Sequence, residues 1–233
     1  MKASSWPPAA SAGIAACLMM AATCAYAHTA AKEVGDFYAG FLHPVTALEH
    51  MLTFVGLGLL AGQQGKTASV GILVFSCTLM VGATGALWVS AVPYVSLLNI
   101  LSAILLGLLV AAAWPLPIAV VYGIALVFGL SHGFANGTAI TAAIRPYLFI
   151  PGIGLAGLIV PAWAMIVADF ALRQKAGWMH IAVRVAGSWI AAIGILVLAI
   201  SGSTILNVQD APRQEVVGAG SDLLHLEVPG ARR

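Results

Sequence analysis

Two short stretches of this chain place side chains able to bind a metal ion inside otherwise apolar sequence. The first is His43-Pro44-Val45-Thr46-Ala47-Leu48-Glu49-His50-Met51. Pro44 suits the first turn of a helix, where its missing N–H costs nothing. At about 100° per residue, His43 and His50 fall roughly 20° apart on one face. Thr46 shares that face, and Glu49 points about 100° away from His50. Two imidazoles beside a carboxylate form a borderline donor set, suited to Ni, Co, Zn or Cu(II) rather than Mg or Ca. The plainer reading makes both histidines interfacial hydrogen bonders and pairs Glu49 with a neighbouring helix. The closeness of the three groups favours metal.

The second stretch is Gly129-Leu130-Ser131-His132-Gly133-Phe134-Ala135-Asn136-Gly137-Thr138. His132 and Asn136, four residues apart, share a helix face. Gly129, Gly133 and Gly137 form a ridge of small residues that lets another helix approach closely. Taken alone, the glycines are equally well explained as packing and His132 as an interhelical donor.

These residues must be held by membrane-spanning elements. Of 233 residues, 61% are apolar and 8% charged, with a net charge of +2. A soluble domain carries about 25% charged residues, so a water-facing surface is out of reach. No clustered Lys/Arg patch meets phosphates, which excludes a nucleic-acid binder. From Phe37 to Phe170 the only ionised types are Glu49, Lys66, Arg145 and Asp169. Apolar runs between turn signals predict an all-α integral membrane protein with about six spans, near 44–62, 68–89, 94–113, 116–138, 148–171 and 179–201.

Residues 1–27 read as a signal peptide: Lys2, an apolar stretch from about Ala12 to Ala22, then the small-x-small site Ala25-Tyr26-Ala27. A lipoprotein signal ending at Cys24 and an uncleaved first helix are the competing readings. Cleavage leaves His28 as a new N-terminus whose imidazole and α-amine can chelate together, with Asp36 in the segment leading to His43. Residues 28–201 then form the transmembrane domain, and 202–233 a polar, weakly ordered tail. Cys17 and Cys24 leave with the signal, and Cys77 remains alone as a packing residue.

A signal places His28 outside a bacterial inner membrane, and six spans return the tail to the same side. The positive-inside rule agrees, because Lys66, Arg173 and Lys175 fall in the inward loops and Arg145 in an outward one. Both clusters then lie in the outer third of their helices and can converge. Each occupies the first helix of a three-helix half, and two odd-numbered halves have opposite orientation, the inverted-repeat layout of many transporters.

The Gly40-Phe41-Leu42-His43-Pro44 entry, His43-x5-Glu49-His50, and His132-Gly133-Phe134-Ala135-Asn136-Gly137, following a mature start at His28, resemble the HupE/UreJ family of nickel (and cobalt) transporters. That family's first signature is His-x5-Asp-His. Its second is a His-Gly-x-Ala-x-Gly stretch with Glu four residues on. Glu49 stands in place of the usual Asp, and Thr141 in place of that Glu. The resemblance implies metal permeation and a functional link to a nickel metalloenzyme.

The expected protein is therefore a permease, not an enzyme, that takes Ni²⁺ or Co²⁺ as cargo and needs no prosthetic group. His28 and Asp36 recruit the ion, His43, Glu49 and His50 strip and bind it, and His132 with Asn136 supplies the facing ligands. A homo-oligomer stays open. The rivals are a non-transporting membrane accessory protein that holds metal for a partner enzyme, and an intramembrane serine protease using the G-x-S-x-G string around Ser131. The latter lacks the strand-to-helix elbow that string serves, and Ser131 and His132 diverge by about 100°. Asp169 and Arg173 read as an i,i+4 ion pair. His180 and Arg184 face the inner interface, and Trp88, Trp114, Trp163, Trp178 and Trp189 supply interface anchors.

Overall fold

A computed structural model describes residues 35–89, 92 and 94–210, with side chains through Ser201. The proposed signal, His28 and residues 211–233 lie outside the described residues. Among the described residues seven α-helices follow one another: α1 Asp36–Thr46, α2 Leu48–Gln64, α3 Ser69–Gly85, α4 Val95–Ala112, α5 Ile118–Gly137, α6 Pro146–Arg173 and α7 Gly177–Asp210. A 3₁₀ turn, Lys66–Ala68, leads into α3. Among the described residues five helical stretches are long and apolar enough to cross a membrane, and six if α1 and α2 together count as one. Large apolar side chains such as Leu73, Val81, Leu101, Leu105 and Trp163 stand exposed around the outside. An apolar exterior of that extent needs lipid rather than water. The chain is a multi-pass membrane protein.

The first span differs from the expected continuous helix from 44 to 62. Helix formation starts earlier, at Gly35 with φ 88°, and Asp36 in the first turn complements the helix dipole. Pro44 therefore sits in the last turn of α1 rather than the first turn of a span. It cannot donate to the carbonyl four residues back, and the chain turns extended at Ala47, φ −81°, ψ 115°. α2 leaves at a bend of 78°. The last turn of α1 is held locally: Thr46 Oγ1 donates to Leu42 O (2.9 Å) and His43 O (3.2 Å), and Ala47 N donates to His43 O (3.2 Å).

The other ends carry ordinary stop signals. α2 ends at Gly65, φ 89°, a backbone that favours glycine. α5 follows Pro117, and α6 carries Pro at its first turn. α7 runs through Asp210, past the expected end near 201.

Close packing depends on small residues. α3 lies against α5, and a Cβ on Gly133 would fall on the Leu79 carbonyl. The ridge expected on α5 thus receives α3. α6 takes α1 and α2 on one side, with Gly40 against the Phe149 backbone and Gly58 against that of Pro161. Phe54, Phe75, Phe149, Leu57, Leu60 and Leu79 fill the centre.

The relative direction of α2 and α5 is set at the far end of α2. Gln63 Nε2 donates to Val110 O and Gln64 Nε2 to Trp114 O, each at 2.9 Å, while Leu116 N donates to Gln64 Oε1. The end of α2 is thereby tied to the turn that begins α5, and the two helices run antiparallel.

Candidate functional site

Antiparallel α2 and α5 bring the start of one beside the last turns of the other. His50 enters α2 in its first turn, immediately after the break, and His132 lies near the end of α5. Their Nδ1 atoms are 2.6 Å apart, with ring centroids 4.9 Å apart and nearly perpendicular. His50 is 3% exposed and His132 fully buried. A contact this short between two nitrogens requires one to carry the proton and the other a lone pair.

A polar cluster surrounds the pair. His132 Nε2 lies 2.8 Å from Ser102 Oγ on α4. Ser102 Oγ is 2.9 Å from Thr53 Oγ1 on α2 and donates to Asn99 O at 2.6 Å. Ser131 Oγ donates to Asn99 Oδ1 at 2.5 Å. Asn136 Nδ2 donates to His132 O at 2.7 Å, and its Oδ1 is buried with no hydrogen-bond partner. Phe54 closes one side of His132, with centroids 6.2 Å apart. Polar groups in an apolar helix bundle are costly unless satisfied, and here one small network satisfies most of them.

The remaining expected ligands are placed as follows. Glu49 Oε1 lies 3.8 Å from His50 Nε2, with the carboxylate partly exposed. The His43 ring centroid is 6.4 Å from that of His50 and 6.1 Å from that of Phe149. His43 and His50 are thus neighbours across the bend rather than along one continuous helix face. Asp36 is not brought to the pair. Its Oδ2 accepts from Arg145 Nε and from the Arg145 backbone N–H (3.2 Å), joining the start of α1 to the start of α6. Hydrogen bonding and charge from Asp36 push the Arg145 guanidinium further up. Among the described residues, no group of three or more His, Cys, Asp or Glu side chains is gathered closely enough to hold an ion.

The sequence reading missed Thr53, Asn99 and Ser102. Asn99 and Ser102, three residues apart in the apolar run of α4, were a detectable signal, because two polar residues on one face of such a helix need partners. The α5 helix continues regularly through Ser131, whose hydroxyl is directed to Asn99. The arrangement lacks the exposed elbow that a serine nucleophile would use. Asp169 and Arg173 form the expected pair, doubly hydrogen-bonded at 2.7 and 2.8 Å. Arg184 Nε donates to Ala111 O at the end of α4 (2.8 Å), and Cys77 is exposed.

A family model described as HupE / UreJ protein matches residues 16–197. Protein HupE of Rhizobium leguminosarum bv. viciae is 28% identical over 176 residues, covering 75% of this chain and 90% of that protein. No solved structure matches.

Proposed function

The chain belongs to the HupE/UreJ family, and from that footing we propose that it is an inner-membrane permease for divalent nickel or cobalt ions. The observation that carries the reading is the buried imidazole pair of His50 and His132, 2.6 Å apart on antiparallel apolar helices. Imidazole nitrogens suit these ions, and uncharged ligands can be buried far more cheaply than carboxylates. Glu49, at the half-exposed edge beside His50, supplies negative charge to an arriving dication. His43 across the bend and the unpartnered Oδ1 of Asn136 are the further donors. They would have to close on the pair to complete the set, since no three His, Cys, Asp or Glu side chains among the described residues are gathered around one point.

The pair as it stands is closed. Two imidazoles in adjacent positions around one ion, each at roughly 2.1 Å as for zinc, have nitrogens about 3.0 Å apart. Parting the rings by about 0.4 Å therefore converts a hydrogen bond into two metal bonds. For the donating imidazole to bind the ion through Nδ1, its proton moves to Nε2 of the same ring, which in His50 lies 3.8 Å from Glu49 Oε1. His28 at the mature N-terminus is a recruiting ligand in this reading, and Asp36 acts through Arg145. The ion enters from the outer side. No G-x-x-x-x-G-K-[ST] nucleotide motif is found in the sequence. The membrane potential by itself favours inward movement of a dication by about 4.6 kcal/mol per 100 mV, twice the single-charge value.

The test is nickel or cobalt accumulation in cells carrying the wild type, His50→Ala or His132→Ala, with membrane abundance measured in parallel. Both substitutions are expected to abolish most uptake at unchanged abundance. Normal uptake in both removes the site. Metal binding without uptake by reconstituted protein in liposomes would instead establish the accessory, metal-holding role.

A further inference from the structure

Ser102 stands where α2, α4 and α5 meet, and it is 1% exposed. Its hydroxyl has one hydrogen and three oxygen or nitrogen neighbours. The nearest, Asn99 O at 2.6 Å, is a carbonyl and can only accept. Thr53 Oγ1 donates to Glu49 O (3.1 Å), so Asn99 O and Thr53 Oγ1 (2.9 Å) can both accept from the serine. With its one hydrogen given to either, Ser102 Oγ turns a lone pair toward His132 Nε2 (2.8 Å). Nε2 must then be the protonated nitrogen of His132, and Nδ1 the bare one. Across the 2.6 Å contact, His50 Nδ1–H donates to His132 Nδ1.

We infer that Ser102 is a positioning residue that fixes the tautomer of His132, so that its Nδ1 lone pair faces His50 and an incoming ion. The inference rests on the ion-binding reading of the pair. Asn99 O is the serine's nearest acceptor, and Ser131, donating to Asn99 Oδ1 at 2.5 Å, steadies that asparagine side chain. Without the hydroxyl, Nε2–H would be buried with no acceptor, and the tautomer carrying its proton on Nδ1 would compete. That tautomer offers the ion no lone pair on the side facing His50. A hydrogen-bond partner behind a metal-binding imidazole commonly changes metal affinity by roughly 10–100-fold.

The experiment measures nickel uptake against concentration for the wild type, Ser102→Ala, Ser102→Thr and His132→Ala, at matched membrane abundance. Ser102→Ala is expected to raise the half-saturating nickel concentration roughly 10–100-fold with the maximal rate little changed. Ser102→Thr, which keeps the hydroxyl, is expected to restore the wild-type value. If His132→Ala abolishes uptake while Ser102→Ala behaves as wild type, the inference is wrong and the permease reading stands. If His132→Ala transports normally, both fall. Nitrogen NMR of ¹⁵N-histidine-labelled wild-type protein in detergent, with His132 assigned by its loss in His132→Gln, gives a readout that does not depend on Ser102→Ala folding. A proton on Nε2 of His132 supports the assignment, and a proton on Nδ1 overturns it.

Discussion

Asp36 and Glu49 are both carboxylates near the start of the chain's first helices, yet their surroundings give them different work. Asp36 is held by Arg145 through the side chain and the backbone, so its effect on transport should run through that partner. Asp36→Asn and Arg145→Gln are expected to change nickel uptake alike, and the double variant to be no worse than either. Direct recruitment of the ion by Asp36 would show as a defect in Asp36→Asn alone. Glu49 has its charge 3.8 Å from His50 Nε2. Glu49→Gln is expected to weaken nickel binding by roughly five-fold to a thousand-fold, the range of one charge interaction at about 4 Å between bulk water and a protein surface. Glu49→Asp, which keeps the charge, should cost less, and equal losses in titrations of the purified variants would rule out a charge role. The two histidines were legible in the sequence because imidazoles in apolar helices are expensive and rare. The Asp36 pairing was not, since its partner lies 109 residues away and a carboxylate's sequence neighbours do not reveal a distant cation. Thr53 was illegible for another reason: a hydroxyl can satisfy itself on its own helix, as Thr53 Oγ1 does on Glu49 O, so its presence does not announce a network.

At the scale of elements, one proline and one glycine ridge decide the site. Pro44 ends α1, and the bend at Ala47 starts α2 so that His50 lies in its first turn, pointed at α5 rather than along the His43 face. The ridge on α5 then brings α3 into contact. Gly133→Ala would place a methyl on the Leu79 carbonyl. Overpacking of this kind costs about 1–3 kcal/mol, which for a chain of this size lowers the melting midpoint by roughly 2–12 °C. Gly123, on the same helix with nothing within 4 Å of its missing Cβ, should tolerate alanine with no drop. A thermal scan of the detergent-solubilised variants compares the two, and equal midpoints would show that the α3–α5 contact is looser than the structure has it.

For the whole molecule, the antiparallel course of α2 and α5 puts the imidazole pair toward one end of the bundle. The expected orientation makes that the outer end. On a Cys77→Ser background, a cysteine introduced at Arg145 should react with a membrane-impermeant thiol reagent in intact cells. One introduced at Gln64 should react only after the membrane is opened. The reverse pattern would invert the permease. Exchange of the two expected halves swaps the α2–α6 contact for α5–α3, and both are packed pairs, as an inverted repeat requires.

Composition alone determined that this chain lives in a bilayer, because 8% charged residues cannot clothe a water-facing surface. The cost of burying polar groups in such a chain singled out His50 and His132. Only the tertiary structure decided that these two imidazoles touch, that Asp36 turns to Arg145 instead, and that a serine on a third helix lies within hydrogen-bond distance of one of the rings. Those outcomes depend on helix direction and on residues far apart in the chain. Hydropathy and spacing constrain each helix separately and carry no information about which faces meet.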